Sequence, residues 1–361
     1  MEYPLRSMYR ISPEKIPTCT LLRLADATTG WVILPWRNRQ CNWRLAPLRA
    51  PHRSDTLGKS NSLMNSIETS VQSATASARY PSDPSVKVHA LCTGFVQVRK
   101  SQQQSKGTGI TRATNMLFDP EWTDWLPIYA WAIEHDEGVI VVDTGETSRV
   151  HQQGYFPSWH PFYRRAAHFS VHPDEEIGAQ LRRLGISPRA VSQVVLTHLH
   201  TDHAGGLTDL TNARFWVSEQ EFKRASGIGG RIQGYLPNRW PRWWNPNFVQ
   251  FNDGHFGPFE NSMSLTKAGD VLIVPTPGHT PHHLSVVVRG SPSLFIAGDT
   301  SYNQQMLLDG KVDGVSPSID IAKATHAKIV ALAKEQPLVY LPSHDPESPE
   351  RLTNRSVLAV E

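Results

Sequence analysis

The sequence predicts a domain of the α/β (α+β) class, and three observations lead to that prediction. Short apolar, β-branched runs such as Gly138–Asp143 (GVIVVD) and Val191–Leu196 are typical of buried strands. Segments with apolar residues at helical spacing, such as Ile319–Ala333, alternate with them. At 361 residues and 39% hydrophobic composition, the chain can bury a sizeable core in one large domain or two smaller ones.

Composition and charge argue against several classes of protein. The formal net charge is only +3, so it does not require nucleic acid or an anionic membrane as a partner. Three cysteines, Cys19, Cys41 and Cys92, are too few and too scattered for a disulfide framework or a CxxC metal site. No apolar run approaches the roughly 20 residues that span a bilayer, and the N-terminus lacks the apolar core of a secretory signal. We therefore expect a cytoplasmic protein that binds neither nucleic acid nor a membrane.

Residues 1–85 differ in composition from the rest of the chain. Basic residues outnumber acidic ones there, and Ser60–Ser85 is rich in serine, threonine and alanine. We expect a poorly ordered, basic and serine-rich N-terminal extension at 1–85 and a folded domain at 86–361. An organelle presequence and a dispensable extension before a true start at Met64 are both open readings of this extension.

The predicted elements follow one another along residues 86–361. Strands are predicted where β-branched and aromatic runs are bounded by turn residues, at Val88–Val98, Leu126–Glu134, Gly138–Asp143, Val191–Leu196, Ala213–Val217, Val271–Thr276, His283–Val288, Leu294–Ala297 and Leu338–Leu341. Helices are predicted at Asp174–Leu184, Glu219–Ala225 and Ile319–Ala333. The first of these helices has acidic residues in its first turn and Gly185 after its end, as helix termini favour.

Two segments are rich in aromatic residues outside the predicted strands. Gln153–Arg165 carries five rings, which fit either a core plug or a pocket wall: Tyr155, Phe156, Trp159, Phe162 and Tyr163. Ile228–Phe251 interleaves tryptophan and tyrosine side chains with three arginines. That pattern can serve single-stranded nucleic acid, but it also suits a lid over an apolar ligand or a homodimer contact. We favour the lid or the homodimer contact.

The segment after the strand Val191–Leu196 contains three imidazoles and a carboxylate within six residues. In an extended segment His198 and His200 point to the same side, so both can reach one cation. Asp202 and His203 enter a turn and can face a neighbouring position. Zinc prefers nitrogen and carboxylate ligands, and a catalytic zinc keeps a position open for water. The spacing therefore predicts two adjacent metals, although solvated or backbone-paired histidines in a loop are the alternative.

Later strand ends present three further metal-binding side chains in succession: His279, Asp299 and His344. Seven ligands suit two metals when one aspartate bridges them. His198, His200 and His279 would hold the first metal. Asp202, His203 and His344 would hold the second, with Asp299 as the bridge. Two such metals lower the pKa of a shared water and polarise a carbonyl, so the arrangement predicts hydrolysis.

Asp143 also follows a strand, in the sequence Asp143-Thr-Gly145. An aspartic protease would need a second Asp-Thr-Gly as dyad partner, and the chain has none. We therefore predict that Asp143 orients a metal ligand through hydrogen bonds. His283 is predicted to be a packed core histidine and not a ligand.

The order of these motifs resembles the metallo-β-lactamase superfamily. The motifs are His198-Leu-His200-Thr-Asp202-His203, Thr276-Pro-Gly-His279-Thr, Gly298-Asp299-Thr and His344. The resemblance covers about Val86 to the C-terminus and identifies 86–361 as a metallo-β-lactamase-like hydrolase domain. It implies an αββα four-layer sandwich with the metals at one edge of two facing sheets.

Within this superfamily, the chain is most similar to the N-acyl-homoserine lactone lactonases, the quorum-quenching branch. Three features carry the similarity: Tyr302 three residues after Asp299, the segment Tyr340-Leu-Pro-Ser-His344, and Asp143-Thr-Gly145-Glu followed by the loop 154–159. Glyoxalase II relatives carry a C-terminal helical domain, and too little chain follows His344 for one. Class B β-lactamases place a cysteine at one metal, and none of the seven predicted ligands here is a cysteine. Di-iron relatives carry Glu where His200 stands, which favours zinc here.

The resemblance implies two zinc ions per chain, a small-molecule lactone as substrate, and ring opening by a metal-bridging hydroxide. Tyr302 would donate a hydrogen bond to the lactone carbonyl, and Asp202 would carry a proton to the leaving ring oxygen. Tyr155, Phe156 and Trp159 would hold the acyl chain, with Trp240–Trp244 as further candidates.

One departure from the family pattern is His282, which stands where relatives commonly have glycine; we expect it to face solvent. A hydrolase of the same fold acting on another lactone, ester, thioester or phosphodiester is the main alternative. A non-catalytic binding module is a second alternative.

Overall fold

The computed structural model describes the backbone of residues 75–79 and the chain from 86 to 360. The predictions about the N-terminal extension, including the presequence and the start at Met64, otherwise lie outside these residues. Thr75–Arg79 forms a strand where the sequence predicts no element, because this short run of small residues lacks the apolar bulk that marks a strand.

The described residues form strands that assemble into two sheets. The strands are β1 (Thr75–Arg79), β2 (Lys87–Val98), β3 (Leu126–Glu134), β4 (Val139–Val142), β5 (Ala167–Ser170), β6 (Val191–Val195), β7 (Arg214–Val217), β8 (Asn247–Phe248), β9 (Met263–Ser264), β10 (Val271–Pro275), β11 (Leu284–Val288), β12 (Ser293–Gly298) and β13 (Leu338–Pro342).

The first sheet has the order β1-β2-β3-β4-β6-β7-β8, and β5 also pairs with β2. Its first half is antiparallel, whereas β4, β6, β7 and β8 run parallel. β3 reads as an unbroken apolar run because every residue except its last is buried, as expected for a strand covered on both faces.

The second sheet has the order β13-β12-β11-β10-β9. It is antiparallel except for the β12–β13 pair, which is parallel. The parallel pair requires a long crossover connection, and the chain supplies one through the helix Ile319–Glu335.

The described helices flank the sheets. They are α1 (Lys100–Gln103), α2 (Gly109–Phe118), α3 (Pro161–Arg165), α4 (Ile177–Arg183), α5 (Thr201–Ala204), α6 (Glu219–Ser226), α7 (Ile228–Ile232), α8 (Gln304–Leu308), α9 (Ile319–Glu335) and α10 (Ser348–Asn354). Short 3-10 turns occur at Ser148–His151, Pro188–Ala190, Leu207–Asp209 and Pro237–Arg239.

Three apolar clusters define four layers. The central cluster joins residues of both sheets, such as Trp131 of β3 and Ile296 of β12, so the sheets face each other. The outer face of the first sheet packs against α4 through Ile177. The outer face of the second sheet packs against α9 through Ile329 and Leu332. The predicted αββα sandwich is confirmed.

The three predicted helices are present as α4, α6 and α9, each within a few residues of its predicted bounds. The aromatic segment predicted as a loop ends in a short helix, α3, and leads into β5. Within the described residues, no helix combines the length and the apolar character that crossing a bilayer requires.

Candidate metal centre

The seven predicted ligands lie together at one edge of the two sheets. His198 follows β6 by three residues, His279 follows β10, Asp299 comes directly after β12, and His344 follows β13. His200 begins the turn into α5, which also carries Asp202 and His203. The ends of these strands meet at the same edge, so residues that are far apart in sequence converge there.

The first group of ligand atoms comprises His198, His200 and His279. Nε2 of His198 lies 3.0 Å from Nδ1 of His200, which lies 3.1 Å from Nε2 of His279. Three imidazole nitrogens thus face one point, the arrangement that a tetrahedral cation with an open fourth position requires.

The second group comprises Asp202, His203 and His344. Asp202 lies 3.6 Å from Nε2 of His344 and 4.0 Å from Nε2 of His203. Asp299 stands between the two groups. Its Oδ1 lies 3.3 Å from His203, while its Oδ2 lies 3.4 Å from both His279 and His344. The carboxylate therefore reaches both groups, as a bridging ligand must.

The pKa values of the histidines in the cluster are shifted in opposite directions: although burial opposes it, nearby carboxylates raise the pKa of His203, His279 and His344. Burial, with the neighbouring imidazoles, lowers the pKa of His198 and His200 well below the usual value, so both rings are neutral and offer lone pairs. Burial opposes ionisation of Asp299, but His203 and His344 outweigh it and hold the pKa of that carboxyl well below its usual range. Nε2 of His203 and Oδ1 of Asp299 are buried and lie 3.3 Å from each other, and neither atom has a hydrogen-bond partner outside the cluster among the described residues. Nitrogen and carboxylate donors of this kind fit divalent zinc.

Hydrogen bonds from outside the cluster fix two of its rings. Oδ2 of Asp143 lies 2.8 Å from Nδ1 of His203, so the contact that the predicted orienting role of Asp143 requires is present, and the role itself stays a prediction. Nδ1 of His344 lies 2.8 Å from the carbonyl of Pro127. Such contacts hold the opposite ring nitrogen toward a metal.

Asp313 is a residue that the sequence does not single out. Its Oδ1 lies 3.5 Å from Nδ1 of His279, and its carboxylate accepts hydrogen bonds from the amide and hydroxyl of Ser316. Asp313 lies in a loop after α8, away from any strand end, so no local motif marks it.

His283 is buried and packed, as predicted. Its Nε2 accepts the backbone N–H of Asp299 at 3.1 Å, and its Nδ1 pairs with the Thr276 hydroxyl at 2.9 Å. The His283 ring therefore fixes the backbone from which the Asp299 carboxylate extends. His282 is half-buried.

A cavity of about 340 Å³ adjoins the cluster. Five of the seven side chains line it: His200, Asp202, His279, Asp299 and His344. Tyr302 also lines it, buried, with its ring stacked on that of His344 at 5.5 Å between centroids. The apolar wall comes from β2, α2, α3 and β5, through Val96, Val98, Ala113, Met116, Leu117, Phe162 and Phe169.

The three predicted acyl-chain residues are not among those that line this cavity. Tyr155 is buried and its hydroxyl lies 3.3 Å from Glu146, whereas Trp159 is 60% exposed. Phe156 stacks on Tyr163 and Phe169, which do line it. A contact of these three residues with substrate stays a prediction, and Phe162 and Tyr163 are the rings of this segment that reach the cavity.

Tyr235 packs beside His200 and is hydrogen-bonded to Glu221. The sequence does not identify either residue as part of the site. The Tyr235 ring lies 4.9 Å from that of His200, and its hydroxyl donates to Oε1 of Glu221 at 2.8 Å. Glu221 is fully buried, and burial raises the pKa of its carboxyl. The aromatic segment that was expected to cover an apolar ligand thus contributes Tyr235 directly beside the metal cluster.

Comparison with known proteins agrees with this geometry. A family model described as the metallo-beta-lactamase superfamily matches residues 123–344. The N-acyl homoserine lactonase AiiA of Bacillus thuringiensis subsp. kurstaki is 27% identical over 232 residues, covering 62% of this chain and 82% of the relative. The N-acyl homoserine lactonase AttM of Azorhizobium caulinodans is 26% identical, covering 62% and 83%.

Solved structures share the fold. An N-acyl homoserine lactone hydrolase with its product N-hexanoyl-L-homoserine at the catalytic metal centre superimposes with a TM-score of 0.59 at 21% identity, covering 73% of this chain and 94% of that one. The dizinc quorum-quenching lactonase AidC superimposes with a TM-score of 0.53 at 16% identity, covering 76% and 91%.

Proposed function

Since the chain belongs to the metallo-β-lactamase superfamily and is a hydrolase of that superfamily, we propose that it opens the lactone ring of N-acyl-homoserine lactones. The observation that carries the proposal is the meeting of two features in one cavity. The cluster of seven donors lies beside Tyr302, and an apolar wall extends away from both. The relatives named N-acyl homoserine lactonases support the same substrate class.

Two zinc ions would be held by the two groups of side chains. His198, His200 and His279 would bind one, and Asp202, His203 and His344 would bind the other, with Asp299 between them. The metals would supply a water of lowered pKa as nucleophile and polarise the carbonyl at neutral pH.

Tyr302 would bind the lactone carbonyl oxygen. Burial raises the pKa of its hydroxyl well above the usual value, so the group stays protonated and can donate. Because the ring is stacked on His344, the hydroxyl is held beside the cluster. A fixed donor at this position stabilises the negative charge that develops on the carbonyl oxygen as it is attacked.

Asp202 would carry the proton. Of the two acidic residues in the cluster, Asp202 is the more exposed, with 15% of its side chain exposed against 5% for Asp299. Asp202 also lines the cavity. As water adds to the carbonyl carbon, the bond from that carbon to the ring oxygen breaks. Asp202 passes the proton from the water to the ring oxygen, which leaves as the hydroxyl of the N-acyl-homoserine.

The apolar wall would hold the acyl chain. Its residues come from β2, α2, α3 and β5, whereas the polar residues gather at the metal end, so an amphiphilic lactone has one orientation in the cavity.

The test combines metal analysis with a substrate panel. The purified protein is loaded with zinc, and its metal content is measured. Proton release is then followed with N-acyl-homoserine lactones, a thioester and a phosphodiester. We expect two zinc ions per chain and turnover of the lactones well above that of the other esters. Preferred turnover of the thioester or the phosphodiester would refute the proposed substrate class.

A further inference from the structure

Arg224 gives the cavity a positive charge that the chemistry of lactone opening does not use. It lies in the last turn of α6 and lines the cavity with Gln233 and Tyr235. Among the described residues that line this cavity, Arg224 is the one lysine or arginine. Its position in the wall therefore calls for an explanation in terms of a ligand or a neighbour.

Within the described chain, the Tyr235 hydroxyl is a hydrogen-bond neighbour of the guanidinium, and no carboxylate forms an ion pair with it. Nε of Arg224 is buried and has no hydrogen-bond partner there. The ion pair along α6 joins Lys223 to Glu219 at 2.7 Å instead. Glu221, one turn before Arg224, accepts from the Tyr235 hydroxyl and from the amide of Leu199 through the same oxygen. A guanidinium in a cavity wall without a paired carboxylate is costly to keep unless a ligand supplies its partner.

Arg224 lines the same cavity as five side chains of the metal cluster, and Tyr235 lies between them. The centroid of the Tyr235 ring lies 4.9 Å from that of His200, and the Tyr235 hydroxyl donates to Oε1 of Glu221 at 2.8 Å. Burial raises the pKa of this hydroxyl, whereas a hydrogen bond from the guanidinium of Arg224 and its positive charge lower it, so Arg224 lies within hydrogen-bonding reach of the hydroxyl. Arg224 thus lies one tyrosine side chain away from the metal cluster, on a different element from the apolar wall.

We propose that Arg224 binds a carboxylate carried by the part of the substrate that is not hydrolysed. This inference rests on the proposed function, because it takes the cavity as the site where the lactone is opened. A guanidinium presents parallel N–H donors that match a carboxylate in a two-bond pair. The substrate class is therefore an N-acyl lactone with an acidic acyl portion, not a purely aliphatic one.

The test compares two lactones that differ only in charge. One carries an N-acyl chain that ends in a carboxylate, and the other carries the methyl ester of the same chain. The two ring-opened products are also titrated into the zinc-loaded protein by calorimetry, so that binding is measured without turnover. Arg224→Gln removes the charge, and Lys223→Gln removes a charge from the exposed side of the same helix.

We expect the wild type to favour the acid over its ester by roughly 10-fold in kcat/KM and in product affinity, as an ionic hydrogen bond that is partly exposed to water would give. Arg224→Gln should abolish that preference through KM, and Lys223→Gln should retain it. A wild type without preference would overturn the proposal. So would an equal loss on both lactones in Arg224→Gln, since that result would mean that Arg224 contacts a neutral acceptor.

The same experiment separates this proposal from the proposed function. If neither lactone is opened but the acidic product binds better and Arg224→Gln loses the difference, the lactonase proposal fails and the carboxylate site stands. If both lactones are opened equally well by the wild type and by Arg224→Gln, the lactonase proposal stands and the carboxylate site is overturned.

Discussion

Replacing Asp143 with asparagine would move a hydrogen within the metal cluster while keeping the shape of the residue. Oδ2 of Asp143 lies 2.8 Å from Nδ1 of His203 and accepts the Thr197 hydroxyl at 2.9 Å, while Oδ1 accepts the Thr197 amide at 2.8 Å. Because a carboxylate only accepts, Nδ1 of His203 carries a hydrogen. In the neutral ring, Nε2 then keeps its lone pair for a cation.

Neither orientation of the asparagine amide preserves this pattern. With the amide nitrogen toward His203, Nδ1 becomes an acceptor, and the neutral ring carries its hydrogen on Nε2, where it blocks a cation. With the nitrogen toward the Thr197 amide, two donors face each other. The backbone itself tolerates the change, since residue 143 has a φ of 59° and asparagine adopts this left-handed conformation readily.

Outer hydrogen-bond partners of metal-binding histidines are worth about 10- to 100-fold in metal affinity. We expect Asp143→Asn to weaken the site of Asp202, His203 and His344 by that factor and to leave the other site nearly unchanged. Asp143→Ala instead leaves three buried donors without an acceptor: the amide and the hydroxyl of Thr197 and Nδ1 of His203. Each costs roughly 1–3 kcal/mol, so the main effect of this substitution should be on the free energy of unfolding.

The assay is a zinc titration of the metal-free protein against a competing chelator, combined with thermal unfolding. The matched control is Asp270→Asn, since Asp270 also pairs with a histidine, His135, at 3.1 Å but lies outside the cluster. Asp270→Asn should bind zinc like the wild type. Two unchanged zinc-binding steps in a folded Asp143→Asn variant would refute the reasoning.

Three further predictions concern catalysis, metal removal and pH. Tyr302→Phe should lower kcat by roughly 100-fold, as loss of one oxyanion donor does, with metal content unchanged; unchanged turnover would remove Tyr302 from the mechanism. Chelation should lower the unfolding temperature, and zinc at about 100 times its Kd should restore roughly 5 °C or more, because zinc binds the folded cluster; equal melting curves would contradict metal binding. Burial by itself raises the pKa of Asp119, but hydrogen bonds from Ser101 and Lys106 outweigh burial and lower this pKa from 3.8 to about 2. This stabilisation is complete above the unfolded pKa and is lost as pH falls from 3.8 toward 2. Denaturant unfolding of Asp119→Asn should therefore show a deficit at pH 7 that narrows by pH 3, and a constant deficit would be the contrary result.

The cluster of candidate ligands could be predicted because its signals are local. His198, His200, Asp202 and His203 stand in one short motif after a strand, and the other three ligands each follow a β-branched run. Strand periodicity is a short-range property, so the strand ends could be identified one at a time. Their convergence followed from the fold.

The residues behind the cluster could not be predicted in the same way. Asp313 reaches His279 from a loop, and Glu221 reaches Tyr235 across the boundary between α6 and the segment after α7. Both contacts depend on packing between elements that are separate in sequence. Neither residue stands in a pattern that distinguishes it from other acidic residues. Asp143 could be identified only because it stands at a strand end.

The cavity wall was predicted less well than the cluster. α2 was missed because its sequence has no capping side chain and buries no residue in the core. The resemblance to lactonases predicts that Tyr155, Phe156 and Trp159 hold the acyl chain. In this chain the same segment continues into α3, and it is Phe162 and Tyr163 that reach the cavity.

Because α2 lines the cavity but buries no residue in the core, substitutions in this helix can change the shape of the cavity with little effect on the free energy of unfolding. Ala113, Met116 and Leu117 line the cavity, yet no residue of α2 is buried, and Arg112 ties the helix to the carbonyl of Gly314 at 2.9 Å. Substitutions on this helix alter the wall without altering either sheet or any of the seven predicted metal-binding side chains. Under the proposed function, selection for a new acyl group would act on ten residues at little cost in folding, and a library confined to Gly109–Phe118 is the natural starting point for changing specificity.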